Sequence, residues 1–364
     1  MRTFGQPMHT WRTLMPPDML LRSDWEHTNL SGPSGAGTLD HWVAETGEPR
    51  LEPTPLQSFL RYGDWFRERF VPDTDPADVT LLESANGSFR VTTSAGAEIE
   101  ARDVVLAVGV TPFARLPRAF QAFAGDPRVA FAIESQSFEC YRDQRVAIIG
   151  GGQNGLESAV MARRAEAASV EVFVRSNVRW YASREPYAAR SALRARLYRM
   201  AYPIVGFGPP PINRIVLHPD LFSHLPMRVR TRLNARLLRA GGAPWIRPEV
   251  EGVIPVHERC VVRSAEERDG ALLLGLSDGT TREFDRVIVA TGYQFDLERL
   301  AFLAPEVRAS IAVRNGWPVL DRNLRSTNPR ILFAGYAAEG QYGPLARFVE
   351  GTRFAARRCA AALL

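Results

Sequence analysis

Two stretches of the chain carry the same pattern of apolar and polar positions and align without a gap. Residues 88–109 (SFRVTTSAGAEIEARDVVLAVG) and 271–292 (ALLLGLSDGTTREFDRVIVATG) are offset by 183 positions, from 88 to 271. Each begins with an apolar-rich run, passes a turn that contains glycine, continues through a mixed run, and ends in a continuously apolar run closed by glycine. Continuous apolar runs of this length are typical of parallel strands buried on both faces. The pattern therefore predicts two related halves, each with a β-meander that leads into a buried strand.

Between the two copies, residues 145–176 have the pattern of one β-α-β unit. A buried apolar strand leads into a glycine-rich turn, and the following helix carries Leu156, Ala159 and Val160 at the spacing of one helix face. Valines at alternate positions then indicate a second strand. Strand, helix and strand in this order favour an α/β fold with a parallel sheet.

The turn of this unit contains Gly150-x-Gly152-x-x-Gly155, directly after the strand and at the start of the helix. In dinucleotide-binding folds the first glycine permits the tight turn and the second lets a pyrophosphate approach the backbone. The third lets the helix pack closely on the strand, and the helix N-terminus adds free N–H groups and a positive dipole. The motif predicts a dinucleotide site, with a glycine turn in an unrelated α/β sheet as the alternative.

Arg175 and Ser176 stand at the end of the second strand, where an acidic residue would bind the ribose 2′-hydroxyl of NAD. A guanidinium suits a 2′-phosphate, because its planar donors form paired bonds with phosphate oxygens. NADP(H) is therefore predicted in preference to NAD. The alternative is an ordinary solvated arginine at a strand end.

Outside these units the pattern indicates helices and loops. Residues 55–71 predict an amphipathic helix within an otherwise loop-like first 75 residues. Residues 177–250 predict an inserted region of arginine-rich helices, among them one over 191–201, with an exposed turn at 206–211. The basic helix over 227–240 could bind RNA or a membrane surface, but a solvated face is favoured because no RNA-binding aromatic platform lies beside it.

Composition narrows the chemistry further. All 45 residues counted as Lys+Arg are arginines, so neither a lysine Schiff base nor a Walker phosphate loop can form. The three cysteines lie far apart without a redox pair or metal-ligand spacing, and no metal site is predicted. The net charge of +5 is spread along 364 residues, and no apolar run has the length of a membrane span. A cytoplasmic protein without a nucleic-acid partner is predicted.

Four motifs together resemble the FAD- and NADPH-dependent monooxygenases, in particular the flavin-containing monooxygenases and the lysine and ornithine N-hydroxylases. They are VAIIGGGQNGLESA, VIVATGY, DLFSHLP and the C-terminal ILFAGYAAEGQYGPLARFVEGTRFAARR. The resemblance covers nearly the whole chain. It implies two dinucleotide-binding (Rossmann-like) domains, with the NADP domain inserted in an FAD-type domain. The expected limits are 1–140 for the first part of the FAD-type domain, 141–287 for the NADP-binding domain with its helical insertion, and 288–364 for the C-terminal part.

The resemblance also implies the residues of the cofactor sites, but no catalytic side chain. The residues that match the NADPH positions are Gly150, Gly152, Gln153, Asn154, Gly155 and Arg175, beside Ser176. The residues that match the link back to the flavin domain are Thr291, Gly292 and Tyr293. The residues expected near FAD are Arg22, in a segment that runs beside the isoalloxazine ring, and Gly335, Tyr342 and Gly343, where the C-terminal segment closes over FAD.

The start of the sequence departs from the family pattern. In that family a strand and a glycine fingerprint for FAD precede the segments present here. Residues 1–87 contain no such fingerprint, because SGPSGAG at 31–37 has reversed spacing and no strand before it. The FAD-type domain is therefore expected to be N-terminally truncated. Three explanations stay open: a start codon assigned too far downstream, a missing piece on a separate chain, or loss of flavin binding.

The favoured function is an NADPH-dependent flavoprotein oxidoreductase. The resemblance implies a monooxygenase that uses FAD and molecular oxygen to hydroxylate a small-molecule amine or sulfur nucleophile through a flavin hydroperoxide. Two alternatives stay open, namely a flavin-free NADP-binding regulatory or partner protein and an NADPH-dependent flavin reductase. A homo-oligomer is compatible with the sequence, which identifies neither the substrate nor the oligomeric state.

Overall fold

The computed structural model describes residues 1–135, 137–181, 200 and 212–364. The strands in this part of the chain are β1 (Thr3–Phe4), β2 (Thr74–Asp75), β3 (Val79–Ala85), β4 (Ser88–Thr93), β5 (Glu98–Ala101), β6 (Val104–Leu106), β7 (Val129–Phe131), β8 (Arg145–Ile149), β9 (Ser169–Val174), β10 (Val256–Glu258), β11 (Val262–Arg268), β12 (Ala271–Leu276), β13 (Thr281–Phe284), β14 (Arg286–Val289), β15 (Val313–Arg314), β16 (Trp317–Pro318) and β17 (Ile331–Phe333). The α-helices are α1 (Leu39–Thr46), α2 (Leu56–Phe70), α3 (Gln153–Arg164), α4 (Ile212–Leu217), α5 (Pro219–Ser223), α6 (Met227–Leu237), α7 (Arg247–Val250), α8 (Pro305–Ala309), α9 (Glu339–Tyr342) and α10 (Thr352–Leu363). The helix predicted over 191–201 and the turn over 206–211 lie outside the described residues, except for Met200.

The second half of the chain is built on a five-stranded parallel sheet in the order β10-β9-β8-β14-β7. The helix α3 packs on this sheet through Leu156, Ala159 and Ala162, each with 0% of its surface exposed. The predicted β-α-β unit and the α/β fold class are confirmed. The edge strand β7 comes from residues 129–131, ahead of position 141, and the domain limits themselves stay a prediction.

The two copies of the sequence repeat fold as two antiparallel β-meanders. The sheets β3-β4-β5 and β11-β12-β13 have identical strand bounds after a shift of 183 residues, and β6 and β14 end at equivalent positions. Their pairing repeats as well, since Phe89 lies opposite Ala101 and Leu272 lies opposite Phe284. The first strand of each meander also has a register shift at the same place. The repeat is confirmed, and it is one strand longer than the sequence pattern predicts.

The first half keeps only part of this parallel sheet. The strand β1 pairs with β2, and β6 pairs with β17, as two separate two-stranded parallel sheets. The repeat places β2 at the position of β10 and β6 at the position of β14. Thr3 of β1 pairs with Thr74 of β2, and Phe173 of β9 pairs with His257 of β10, the residue equivalent to Thr74. The strand β1 therefore corresponds to the end of β9. No described strand takes the place of β8 between β1 and β6.

The first 70 residues form an aromatic cluster around α1 and α2. The helix predicted over 55–71 is confirmed as α2, whereas α1 lies where loops were predicted. The hydroxyl of Thr38 caps α1 by accepting from a backbone N–H, and Gly47 ends the helix with a φ of 74°. Trp42 of α1 packs against Tyr62 of α2 in the cluster core. None of the helices in the described part of the chain is long and apolar enough to cross a membrane.

Candidate functional site

The three glycines of the predicted motif form one tight turn between β8 and α3. Gly150 has a φ of 127°, and a Cβ there would lie 2.4 Å from the carbonyl oxygen of Ala290. A Cβ on Gly155 would lie 2.2 Å from the carbonyl oxygen of Gly150. Side chains are excluded at both positions, so the turn stays tight and α3 packs directly on the sheet. The first and third glycines thus have the roles that the motif predicts.

Gly152 is the N-cap residue of α3, and no side chain caps the helix there. The first backbone N–H groups of the helix are therefore left for another acceptor. A Cβ on Gly152 would lie 3.3 Å from the Cβ of Ala240, in the segment that follows α6. Backbone donors at the positive end of a helix, beside a glycine without a side chain, fit a pyrophosphate group.

Gln153 connects the glycine turn to that neighbouring segment. Its Oε1 accepts a hydrogen bond from the backbone N–H of Ala243 at 2.6 Å, and its Nε2 donates to Oε1 of Glu157 at 2.5 Å. The side chain of Asn154 forms a hydrogen bond with the hydroxyl of Tyr293. Both of these predicted site residues therefore bind neighbouring protein groups at the wall of the site.

Arg175 and Ser176 are exposed at the end of β9. The guanidinium of Arg175 has no hydrogen-bond or ion-pair partner among the described residues. Glu171, earlier in the same strand, binds His257 at 2.6 Å and Arg282 at 2.9 Å. These two contacts hold the Glu171 carboxylate on His257 and Arg282. The end of β9 therefore presents the guanidinium of Arg175 and the hydroxyl of Ser176.

One cavity of about 3090 Å³ extends from the glycine turn into the first half of the chain. Pockets for single small ligands measure roughly 300–1,000 Å³, so this cavity has room for more than one. Its wall includes Gly152 and Arg175 from the second half. It also includes Arg22 and Gly109 from the first half, and Gly335 after β17. The two halves therefore enclose one common space.

Thr291, Gly292 and Tyr293 form the turn that leaves β14, and all three line this cavity. The Thr291 hydroxyl donates to a backbone carbonyl of the first half at 2.6 Å, and Gly292 has a φ of 81°. Burial raises the pKa of Tyr293 to about 12, although the charge of Arg347 and the hydrogen bond with Asn154 lower it. The phenol is therefore protonated near neutral pH and able to donate a hydrogen bond.

Two of the residues expected near FAD line the cavity. The guanidinium carbon of Arg22 lies 4.4 Å from the ring centroid of Tyr181, so a side chain of the first half contacts the second half across the opening. Gly335 follows β17 with a φ of 72°, and Gly109 follows β6 with a φ of 69°. Both glycines turn the chain along the cavity wall without adding a side chain.

The other two, Tyr342 and Gly343, are not among the residues that line the cavity. Tyr342 is 2% exposed and donates its hydroxyl to the backbone carbonyl of Asp321. Gly343 has a φ of 88°, and a Cβ there would lie 2.9 Å from the ring of Phe222. The contacts of both residues are packing contacts, and a role for either in binding FAD stays a prediction.

The sequence analysis missed two acidic side chains in the cavity wall, the half-buried Glu157 and the buried Glu339. Burial raises the pKa of Glu157 to about 7, against the hydrogen bond from Gln153 and the charge of Arg22. Burial likewise raises the pKa of Glu339 to about 7, against the charge of Arg347, whose Nε lies 3.0 Å from Oε2. A single glutamate belongs to no motif, but Glu157 follows Gln153 by four residues and so shares its helix face.

The described residues fit the two ends of an FAD molecule unequally. Arg22, Gly109 and Gly335 line an open space whose size is compatible with the flavin-ring end. In the second half the turn between β8 and α3 has the geometry that fits a pyrophosphate, and no described residue of the first half takes the equivalent position. A role of these residues beside the flavin ring stays a prediction, and the described residues of the first half lack a pyrophosphate cradle of the kind seen in the second half.

Comparisons with known proteins agree with this two-half architecture. Residues 65–200 match the model of a family described as pyridine nucleotide-disulphide oxidoreductase. No curated protein matches the chain.

Several solved structures share its fold at low sequence identity. The ornithine hydroxylase of Pseudomonas aeruginosa is 18% identical, with a TM-score of 0.71 over 100% of this chain and 90% of that one. An ornithine N-hydroxylase of Kutzneria sp. 744, solved with reduced FAD, NADP⁺ and L-ornithine, is 16% identical, with a TM-score of 0.73 over 97% of this chain and 89% of that one. The bacillithiol disulfide reductase of Staphylococcus aureus is 16% identical, with a TM-score of 0.63 over 99% of this chain and 88% of that one. The chain therefore has the fold of these ornithine hydroxylases and of the bacillithiol disulfide reductase.

Proposed function

We propose that the chain functions as an NADPH-dependent flavoprotein oxidoreductase, with monooxygenation of a small-molecule amine or sulfur nucleophile as the favoured chemistry. The observation that carries this proposal is the single cavity, in which the glycine turn and Arg175 of one half face the flavin-side wall of the other. The structural neighbours that hydroxylate ornithine support the same chemistry.

In this proposal the residues of the second half bind NADPH. The backbone N–H groups at the start of α3 bind the pyrophosphate, and Gly152 allows its close approach. Arg175 binds the 2′-phosphate through its paired donors, with Ser176 beside it. The contact between Arg22 and Tyr181 helps to close the cavity against water.

Bound FAD supplies the transfer of electrons from NADPH to molecular oxygen. Three side chains of the cavity wall, one buried and two half-buried, would lie near it. Glu157 and Glu339 each hold a proton up to about pH 7, and Tyr293 holds one to higher pH. While they are protonated, these groups add no negative charge to the cavity wall.

Two alternatives each have one observation in their favour. The missing pyrophosphate cradle in the first half favours a flavin-free NADP-binding regulatory or partner protein. The fold shared with a disulfide reductase favours an NADPH-dependent flavin reductase without oxygen insertion. A cytoplasmic location, a homo-oligomer and the lack of a nucleic-acid partner stay predictions.

An oxygen electrode separates these functions. The chain is mixed with NADPH, FAD in increasing excess, and L-ornithine as a probe amine. A monooxygenase consumes oxygen with NADPH in proportion to FAD and forms hydroxylated amine. NADPH oxidation without hydroxylated product from the probe favours the reductase. Binding of NADPH with no oxidation at any FAD concentration overturns the proposal in favour of the binding protein.

A further inference from the structure

A second cavity lies beside the two chain segments that connect the halves. It has a volume of about 840 Å³, and its walls come from residues 115–121, 294–299 and 305–316. We call it the linker groove. Arg115 and Gln294 line both this groove and the large cavity. Sites for single small ligands measure roughly 300–1,000 Å³, so the linker groove has the size of a small-molecule site.

The charged residues of the linker groove are mostly cations. They are four arginines and two acids, namely Arg115, Arg118, Arg299, Arg308, Asp296 and Glu298. Each acid lies near one arginine, since Nε of Arg308 is 3.4 Å from Glu298 and Nε of Arg299 is 4.0 Å from Asp296. The guanidinium groups of Arg115 and Arg118 have no hydrogen-bond or ion-pair partner among the described residues. Two positive charges of the groove are therefore not balanced by a neighbouring acid.

The backbone around Arg115 is held firmly in place. Its N–H donates to the carbonyl oxygen of Gly292 at 2.9 Å, and its own carbonyl oxygen accepts from the Thr291 hydroxyl at 2.6 Å. The guanidinium of Arg299 donates to the neighbouring carbonyl oxygen of Ala114 at 2.6 Å. A ligand of Arg115 would therefore have to order a side chain but no backbone, which lowers the entropic cost of binding.

The walls of the linker groove belong to different halves of the molecule. Arg118 begins a short helical turn whose Phe120 is 0% exposed and packs in one core cluster with strands β8, β9 and β14 of the second half. Arg308 lies in α8, whose Val307 is 0% exposed and packs in the core cluster of strands β3 and β4. A ligand that contacts both arginines would therefore bridge the two halves.

Guanidinium groups have planar paired donors that match the oxygens of phosphate and carboxylate groups. We propose that the linker groove is a binding site for a small multivalent oxyanion with phosphate or carboxylate groups, held by Arg115 and Arg118 from one wall and by Arg308 from the other. Glu298 competes with this anion for Arg308, because its carboxylate already lies beside that guanidinium. This site goes beyond the proposed function and involves neither NADPH nor FAD.

Isothermal titration calorimetry at constant ionic strength tests the site with two probes, inorganic pyrophosphate and citrate. All substitutions are made in Arg175→Gln protein, because the glycine turn beside Arg175 also has the geometry that fits a pyrophosphate. Arg118→Gln and Arg308→Gln each remove a cation from one wall, and Glu298→Gln removes the competing carboxylate. The matched control is Arg263→Gln, which removes an exposed arginine of β11 far along the chain from the groove.

The Arg175→Gln protein is expected to bind at least one probe, and tighter binding of pyrophosphate or of citrate identifies phosphate or carboxylate as the preferred group. Arg118→Gln and Arg308→Gln should each weaken this binding by about fivefold or more, with no change in the control. Glu298→Gln should tighten it by about threefold, because a negative charge is removed beside Arg308.

Dissociation constants above about 1 mM for both probes overturn the inference. Equal losses in Arg118→Gln and in the control overturn it as well, because the anion then binds to exposed arginines in general. A loss confined to one wall contradicts a ligand that bridges the halves. If Arg308→Gln does not fold, Glu298→Gln decides for that wall, and unchanged affinity in this variant overturns the assignment. None of these titrations uses a nucleotide, so their outcome is independent of the proposed function.

Discussion

The backbone N–H of Ala243 donates to Oε1 of Gln153 across 2.6 Å, and this contact fixes the orientation of the Gln153 amide. Because the oxygen faces Ala243, the nitrogen is directed to Glu157, 2.5 Å away. One side chain in the first turn of α3 therefore connects the glycine turn to the segment after α6 and to a half-buried acid. The wall of the candidate NADPH site is one connected unit.

Replacing Gln153 by leucine should break the hydrogen bonds that connect the glycine turn to the segment after α6 and to Glu157. Ala243 is 0% exposed, so Gln153→Leu leaves a buried N–H without an acceptor and should lower the free energy of unfolding by about 1–3 kcal/mol. Urea unfolding measures the change. Gln121→Leu is the matched control, since the Gln121 amide makes only an exposed contact of 3.4 Å and should change stability by less than about 0.5 kcal/mol. Equal stability of the two variants would refute the structural role of Gln153.

Adding a methyl group at Gly155 should disrupt the nucleotide turn. Its Cβ would lie 2.2 Å from the carbonyl oxygen of Gly150, so α3 has to move away from the sheet. Gly155→Ala should cost about 1–3 kcal/mol or more of stability and weaken NADPH binding at least tenfold. The control is Gly252→Ala, which meets no atom within 4 Å and carries only the strain of its φ of 73°. A Gly155→Ala protein that binds NADPH as tightly as this control would show that the turn is not the cofactor site.

The half-buried acid Glu157 should make stability depend on pH. Its pKa of about 7 in the folded protein exceeds its ordinary value of 4.5, so between these values the folded state binds more protons than the unfolded state. Stability from this group is present at low pH and is lost as the pH rises toward 7. Glu157→Gln removes the effect, and the variant should gain about 1–2 kcal/mol relative to the native protein between pH 5 and pH 8.

Urea unfolding at the two pH values checks this expectation. Glu251→Gln is the control, because the hydrogen bond from Arg247 holds the pKa of Glu251 below its ordinary value. The folded and unfolded states then both carry an ionised Glu251 between pH 5 and pH 8, so this substitution should leave the pH dependence of stability over that range nearly unchanged. A stability difference for Glu157→Gln that stays constant with pH would contradict the burial of a proton at this site.

The sequence predicted those elements of the fold in which burial imposes a regular spacing of apolar residues. The repeat was detected because its last strand in each copy is continuously apolar. The expected burial holds for β14 but not for β6, in which Val105 is 37% exposed. The first strand of each meander was missed because its sequence is half polar: β11 reads VRSAEER, and five of its seven residues are exposed. The helix α1 was missed because it has only 8 residues, although Thr38 and Gly47 provide signals for both of its ends.

The sequence predicted those residues of the candidate site whose type is dictated by the geometry of the backbone. Gly150 and Gly155 are identifiable because no other residue fits, whereas Glu157 and Glu339 acquire raised pKa values only from tertiary burial. Tyr342 illustrates the limit of a resemblance, since its position matches the family motif but its hydroxyl binds the carbonyl of a packed loop. Local geometry is encoded in short motifs, and the polarity of the surroundings is encoded across the whole chain.

Titration of the protein with NADPH and NADH, for the native chain and for Arg175→Gln, tests the assignment of the nucleotide site most directly. Arg263→Gln, an exposed arginine on β11, serves as the control. A charge-assisted hydrogen bond contributes about 1.5–3 kcal/mol, so Arg175→Gln should weaken NADPH binding at least tenfold and leave NADH binding and the control unchanged. A native chain that binds neither nucleotide, or an Arg175→Gln variant that keeps the native preference for NADPH, would contradict the assignment.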